Sequence, residues 1–163
     1  MDSAVAAALA RFREGLPPTD TLRHAHASKE AVVRRFVQLL QRRDTLGLAR
    51  LHVSRSEWAW LVYPESRYPH APYRQPVDIG WMLVIERSNG ALARALDRRG
   101  GRPMTLVGWQ CADRPEPEGR NRYWGRCTVT WRDAAGVVAT ERLFSSILER
   151  DGRFKIGSYS NQF

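Results

Sequence analysis

Apolar residues recur every three to four positions through the first hundred or so residues and every second position after that, so a helical part precedes a stranded part. Ala4, Val5, Ala8, Leu9 and Phe12 share one face of a short first helix, which Gly15 and Pro17–Pro18 end. Ser28 is placed to cap a second helix over 29–43, where Val32, Val33, Phe36, Val37, Leu39 and Leu40 form a broad apolar face opposite arginines. Asp44 caps a brief turn of helix carrying Leu46, Leu48 and Leu51. SRSE at 54–57 has capping-box spacing, with Ser54 and Glu57 satisfying each other's amides, and it opens the helix EWAWLVY, which ends before Pro64. Two more helices are expected in VDIGWMLVIER and SNGALARALDRRGG, the second stopped by its glycines. Strands follow over 104–112, 124–132, 137–149 and 153–161, each joined to the next as a hairpin. This order predicts an α+β fold, with N-terminal helices packed on a curved, mainly antiparallel four-stranded C-terminal sheet. Residues 1–27 read as an N-terminal helix and linker, and 28–163 as a single domain.

A first hairpin centred on Gly119 pairs Cys111 with Cys127, Trp109 with Val129 and Val107 with Trp131, leaving Leu106, Gln110, Arg126, Thr128 and Thr130 on the other face. Two opposed cysteines, the only two in the chain, point to a disulfide and an oxidising compartment. The alternative is two small buried thiols in a reduced cytoplasmic core. Two registers are open for the second turn, DAAGV. A three-residue loop with Gly136 in the left-handed region pairs Val129 with Glu141 and puts Glu141 on the apolar face, where desolvation would raise its pKa and suit it to acid–base work. A four-residue loop puts Glu141 in water. Asp151-Gly152 is a type I′ turn signal that pairs Ile147 with Ile156 and Ser145 with Ser158.

Between the helices, YPESRYPHAPYRQP at 63–76 interleaves Tyr63, Tyr68 and Tyr73 with four prolines. Proline excludes helix here and favours an ordered, extended segment. It is expected to cross one end of the sheet as a flap, with Tyr63 inward and Arg67, His70 and Arg74 outward.

Composition adds less. The 163 residues, 43% hydrophobic, support one core, and no apolar run reaches the ~20 residues of a membrane span. A net charge of +9 invites a nucleic-acid reading, but the basic residues are 24 Arg against 2 Lys dispersed along the chain, with no accompanying motif. Nucleic-acid partners are therefore not expected, and no leader peptide is legible at the start. There is no GxSxG, GxGxxG, P-loop, CxxC or Cys/His cluster, so neither a metal nor a cofactor is expected.

The second helix, the RRDTLGLARL turn and the closing strands ending in RDGRFKIGSYSNQF resemble the nuclear-transport-factor-like superfamily of cystatin-like cones, over roughly 28–51 and 104–163. The resemblance implies a cone-like sheet wrapped around helices, with a pocket at its wide end. It departs at 54–101, where helices and the Tyr-Pro segment replace a shorter connection. The family includes isomerases, dehydratases and non-catalytic binding domains whose enzymes place an Asp base, or an Asp/His pair, in the cone. His24, His26, His52 and His70 offer no matching pair, so no catalytic role carries over. The expected function is a non-enzymatic binding or accessory domain whose pocket, lined by Trp58, Tyr63, Trp81, Trp109 and Tyr159, takes a small apolar ligand or a protein partner. The alternative is a small cofactor-free isomerase or lyase using Glu141, and a homodimer through the outer sheet face is a further expectation.

Overall fold

A computed structural model of the chain describes residues 1–159. Helix α1 (Ser3–Arg13) is capped by the Asp2 carboxylate and buries Val5, Leu9 and Phe12. Helix α2 (Lys29–Gln41) starts from the Ser28 hydroxyl and buries all six residues of its apolar face. Helix α3 (Thr45–Leu51) is capped by Asp44 and buries Leu48 and Leu51. The capping box at Ser54 forms with both of its hydrogen bonds. Residues 1–27 do not stand apart: Val5, Leu9, Phe12 and Leu22 share a cluster with Trp58, Leu61, Tyr63 and Leu148.

The helix after Ser54 differs from expectation. One turn of α4 (Arg55–Glu57) widens into a π-helical turn, Trp58–Val62, and closes as a 3₁₀ turn, Tyr63–Glu65. Pro64 brings no N–H to continue the ladder, and carbonyls released there find side chains. Leu61 C=O accepts from Asn121 Nδ2 at 2.8 Å, and Ala59 C=O accepts twice from Arg13, at 2.9 and 3.1 Å.

The two helices expected over 77–101 are one. Helix α5 (Val77–Arg99) runs 23 residues, roughly 35 Å at 1.5 Å each. Ser88 does not cap a new helix. It is buried, its hydroxyl donates to His52 Nε2 at 3.1 Å, and Ala91, Ala95 and Leu96 carry the helix through the core beyond Gly90. Core packing outweighs the cost of about 1 kcal/mol for a glycine in mid-helix.

The expected four-stranded sheet is instead two sheets. One has the order β1-β4-β5, from β1 (Thr105–Gln110), β4 (Thr128–Arg132) and β5 (Val138–Glu141). The other has the order β2-β3-β6-β7, from β2 (Glu116–Glu118), β3 (Asn121–Trp124), β6 (Ser146–Arg150) and β7 (Arg153–Ser158). Three of the meander's long strands break at the same level. Pro115 and Pro117 lie on the first, Arg126 at φ 52° on the second, and residues 142–145 interrupt the third. Single hydrogen bonds bridge the gap, Ala112 N–H to Gly125 C=O and Cys127 N–H to Ser145 C=O. The last strand was expected to reach 161, and its residues 160–161 lie outside those described.

Registers follow the hairpin arithmetic with three shifts, the first at the hairpin tip, which centres on Gly119–Arg120 rather than Gly119 so that Glu118 opposes Asn121. Trp109 opposes Val129, but a bulge between Leu106 and Gly108 brings Leu106 opposite Trp131 and leaves Val107 half-exposed, reversing their expected faces. The second turn has three loop residues with Gly136 at φ 82°, and both Ala135 and Val137 amides donate to Asp133, so Glu141 opposes Val129. Asp151 and Gly152 both have positive φ, as a type I′ turn requires, and Ile147 opposes Ile156. Ser158 pairs in register with Ser146 rather than Ser145, because a bulge follows Ser146. Cys111 and Cys127 form a disulfide where the two sheets part.

Candidate functional site

The π-helical turn, α5 and the β2–β3 hairpin enclose a half-open cleft of about 240 Å³ beneath the Tyr-Pro segment. Its floor is apolar: Val53, Trp58, Val62 and Val84. Its rim is polar: Arg67 and Tyr68 from the Tyr-Pro segment, Glu116, Glu118 and Tyr123 from the hairpin. Beyond Tyr68 a second hollow of about 170 Å³ continues along α5 past Leu83 and Arg87.

Each wall is held by specific bonds. Tyr63 is fully buried, and its hydroxyl donates to Gln75 C=O at 2.6 Å, tying the two ends of the Tyr-Pro segment together. Trp58 Nε1–H donates to Val77 C=O at 3.2 Å, and Gln75 N–H to Tyr68 C=O at 2.9 Å. The segment is thus an arch rather than a free loop, with Arg67, His70, Tyr73 and Arg74 exposed. On the facing wall Gly119 turns at φ 59°, and a Cβ there would fall 1.8 Å from Glu65 Oε2. Glu65 Oε2 also accepts from Arg120 N–H, so the hairpin tip is seated on the 3₁₀ turn. The strand period then places Glu116 and Glu118 on the cleft side with their cross-strand partners Tyr123 and Asn121. Behind them Asn121 accepts from buried Arg150 at 3.0 Å.

Burial raises the Glu118 carboxyl above the usual carboxylate range; neighbouring Glu116 adds to this and Arg67 opposes it. The Tyr123 phenol is pushed up chiefly by burial, with Glu118 adding to it. Deeper in, Glu57 and Lys155 are 0% and 1% exposed and pair at 2.9 Å. Glu57 also accepts from the amides of Ser54 and Arg23, so its oxygens are fully engaged. Burial lowers the Lys155 pKa, and Glu57 opposes that shift.

The residues expected to line one pocket are scattered. Trp58 lines the cleft, but Tyr63 is core beside it, ring centroids 5.8 Å apart, and Trp81 meets Trp58 from α5 at 6.2 Å without entering. Tyr159 belongs to the other core cluster, stacked on His52 at 5.5 Å with its hydroxyl donating to Leu48 C=O. Trp109 is half-buried against the edge of that same cluster, near Lys29, whose ammonium lies 3.3 Å over Trp124. The bend between the sheets separates these rings, which the four-stranded expectation had put on one concave face.

Glu141 is corrected too. It sits outside the cleft and is bidentate to Arg99 Nε and Nη2. That hydrogen bonding holds its carboxyl below the usual range, against the opposing effect of burial, so the expected upward shift is reversed. His52 is a buried, neutral packing residue: Nδ1–H donates to Val53 C=O, Nε2 accepts from Ser88, and burial takes its pKa down to about 4. Among the described residues, no three His, Cys, Asp or Glu side chains are grouped to hold a metal ion.

Sequence reading missed Glu116, Glu118 and Tyr123. The signal was present: alternate positions of EPEGRNRYW, folded about Gly119–Arg120, fall on one face. No protein-family model, curated protein or solved structure matches the chain.

Proposed function

We propose that the protein is a small-molecule binding or accessory domain whose cleft receives a ligand with an apolar body and a cationic head. One observation carries this: an apolar floor and two carboxylates on the same strand face, Glu116 and Glu118, meet in a single half-open cleft. A desolvated carboxylate gains from a counter-charge, and a cation bound at the rim supplies one. The bent sheet packed on helices supports keeping the chain with the nuclear-transport-factor-like superfamily. The Cys111–Cys127 disulfide supports an oxidising compartment, periplasmic or extracellular.

Calorimetric titration with octylamine, octanoate and octanol tests the reading. The amine should bind best, and Glu118→Gln should weaken it roughly tenfold, the scale of a lost charge-assisted contact. An equal response to all three probes refutes the cationic head, and no response to any refutes the binding cleft.

A second reading, a cofactor-free isomerase or lyase, is favoured by the raised Glu118 pKa beside the Tyr123 phenol. It moves the acid–base role from Glu141 to Glu118. Its mark would be a pH–rate profile with one limb at the raised Glu118 pKa, absent from Glu118→Gln.

A further inference from the structure

Away from the cleft, the linker between α1 and α2 runs past α3, and hollows lie on both sides of His24. One, of about 350 Å³, is bounded by His24, His26, Arg35, Asp44 and Arg50. The other, of about 470 Å³, shares His24 and Arg50 and adds Arg23 and Arg55. One carboxylate lines each hollow, and each is already engaged by backbone amides. In the first hollow Asp44 caps α3 by accepting from Gly47 N–H at 2.8 Å. Glu57, on the second, is buried under Lys155 and two backbone amides.

The backbone holds the histidines in place. His26 exchanges hydrogen bonds with Phe154 in both directions at 2.9 Å, and His24 adopts φ 53°, a left-handed conformation that residues with a side chain rarely take. The His26 pKa is lowered by burial first and then by the Arg35 and Lys155 charges beside it.

We propose that the hollow bounded by His24, His26, Arg35 and Arg50 is an anion site that takes the phosphate end of a small phosphorylated molecule. Two guanidinium forks and two imidazoles line one concavity and can donate to phosphate oxygens, and a hollow of about 350 Å³ admits a phosphoryl group with a small substituent. A small phosphate ester is the class that a concavity of this size encloses. This site is separate from the cleft and does not rest on the reading given for it.

Titration with sodium pyrophosphate, followed by the imidazole NMR signals, provides the test, with sodium chloride at matched ionic strength as control. The groups facing His26 are Arg35 from α2 and Lys155 from β7, with His24, Asp44 and Arg50 around the same hollow. Pyrophosphate should shift the His24 and His26 signals saturably and raise the His26 titration midpoint beyond what chloride does. Arg50→Ala and Arg35→Ala, both accessible positions, should each weaken the apparent affinity roughly tenfold. A response reproduced by chloride shows screening alone and overturns the site. Saturation that is unchanged in both variants, or confined to other signals, overturns it equally.

Discussion

Lowering the pH from about 7.5 to about 5 should destabilise this protein, with His52 as a principal cause. The ring is fully enclosed by Tyr159, Ser88 and the Val53 carbonyl, and its folded pKa is about 4 against 6.5 when exposed. Its pKa is lowered on folding, so between those values the unfolded chain binds the extra proton. Stability is therefore complete above about pH 6.5 and is lost as pH falls toward the folded value. One proton of difference is worth about 1.4 kcal/mol per pH unit, so reaching pH 5 removes about 2 kcal/mol. Further acidification brings the loss to about 3 kcal/mol before it levels near the folded pKa. Urea unfolding followed by tryptophan fluorescence at several pH values measures this slope. His52→Phe should be less stable at neutral pH, because Ser88 and Val53 lose their partner, yet much flatter in its dependence between pH 5 and 6.5. His26 is also lowered and contributes in the same window, so His26→Gln serves as the parallel control. Equal slopes for the wild type and His52→Phe would refute a buried neutral His52.

Two other perturbations probe the interior. Lys155→Met leaves the Glu57 carboxylate buried with only two backbone amides, and should cost about 3–5 kcal/mol in urea unfolding; adding Glu57→Gln should recover part of it, and a cost under about 1 kcal/mol would show the pair is not buried. The Cys111→Ala/Cys127→Ala double variant should lose about 3 kcal/mol, from the loop-closure entropy of a bridge across 16 positions; two titratable thiols in the denatured, unreduced protein would show that the bridge is absent.

Local signals were the most readable part of the chain. Ser28, Asp44 and Ser54 cap helices because short side-chain oxygens reach amides two or three residues on, and that distance is set within the sequence itself. Asp151-Gly152 marked its turn for the same local reason, and with it the pairing Ile147–Ile156, whereas Gly136 left two registers open and the fold took the one that pairs Val129 with Glu141. The opposition of Cys111 and Cys127 followed from counting along one hairpin. Where the expectations failed, a distant partner was responsible. Ser88 looked like a helix start until His52, 36 positions earlier, took its hydroxyl. EWAWLVY opened into a π turn whose carbonyls accept hydrogen bonds from the side chains of Asn121 and Arg13.

By itself the sequence determined the α+β order, the caps at Ser28, Asp44 and Ser54, the Asp151-Gly152 turn and an end to α-helix at Pro64, since each depends on φ preferences and on bonds spanning a few residues. Only the tertiary structure decided where the meander would bend, and so which aromatic rings would face one another. It gave Glu141 an arginine from α5 and left Glu118 desolvated above an apolar floor. A carboxyl's ionisation is set by the charges and the water around it, and those are supplied by segments far away in the chain.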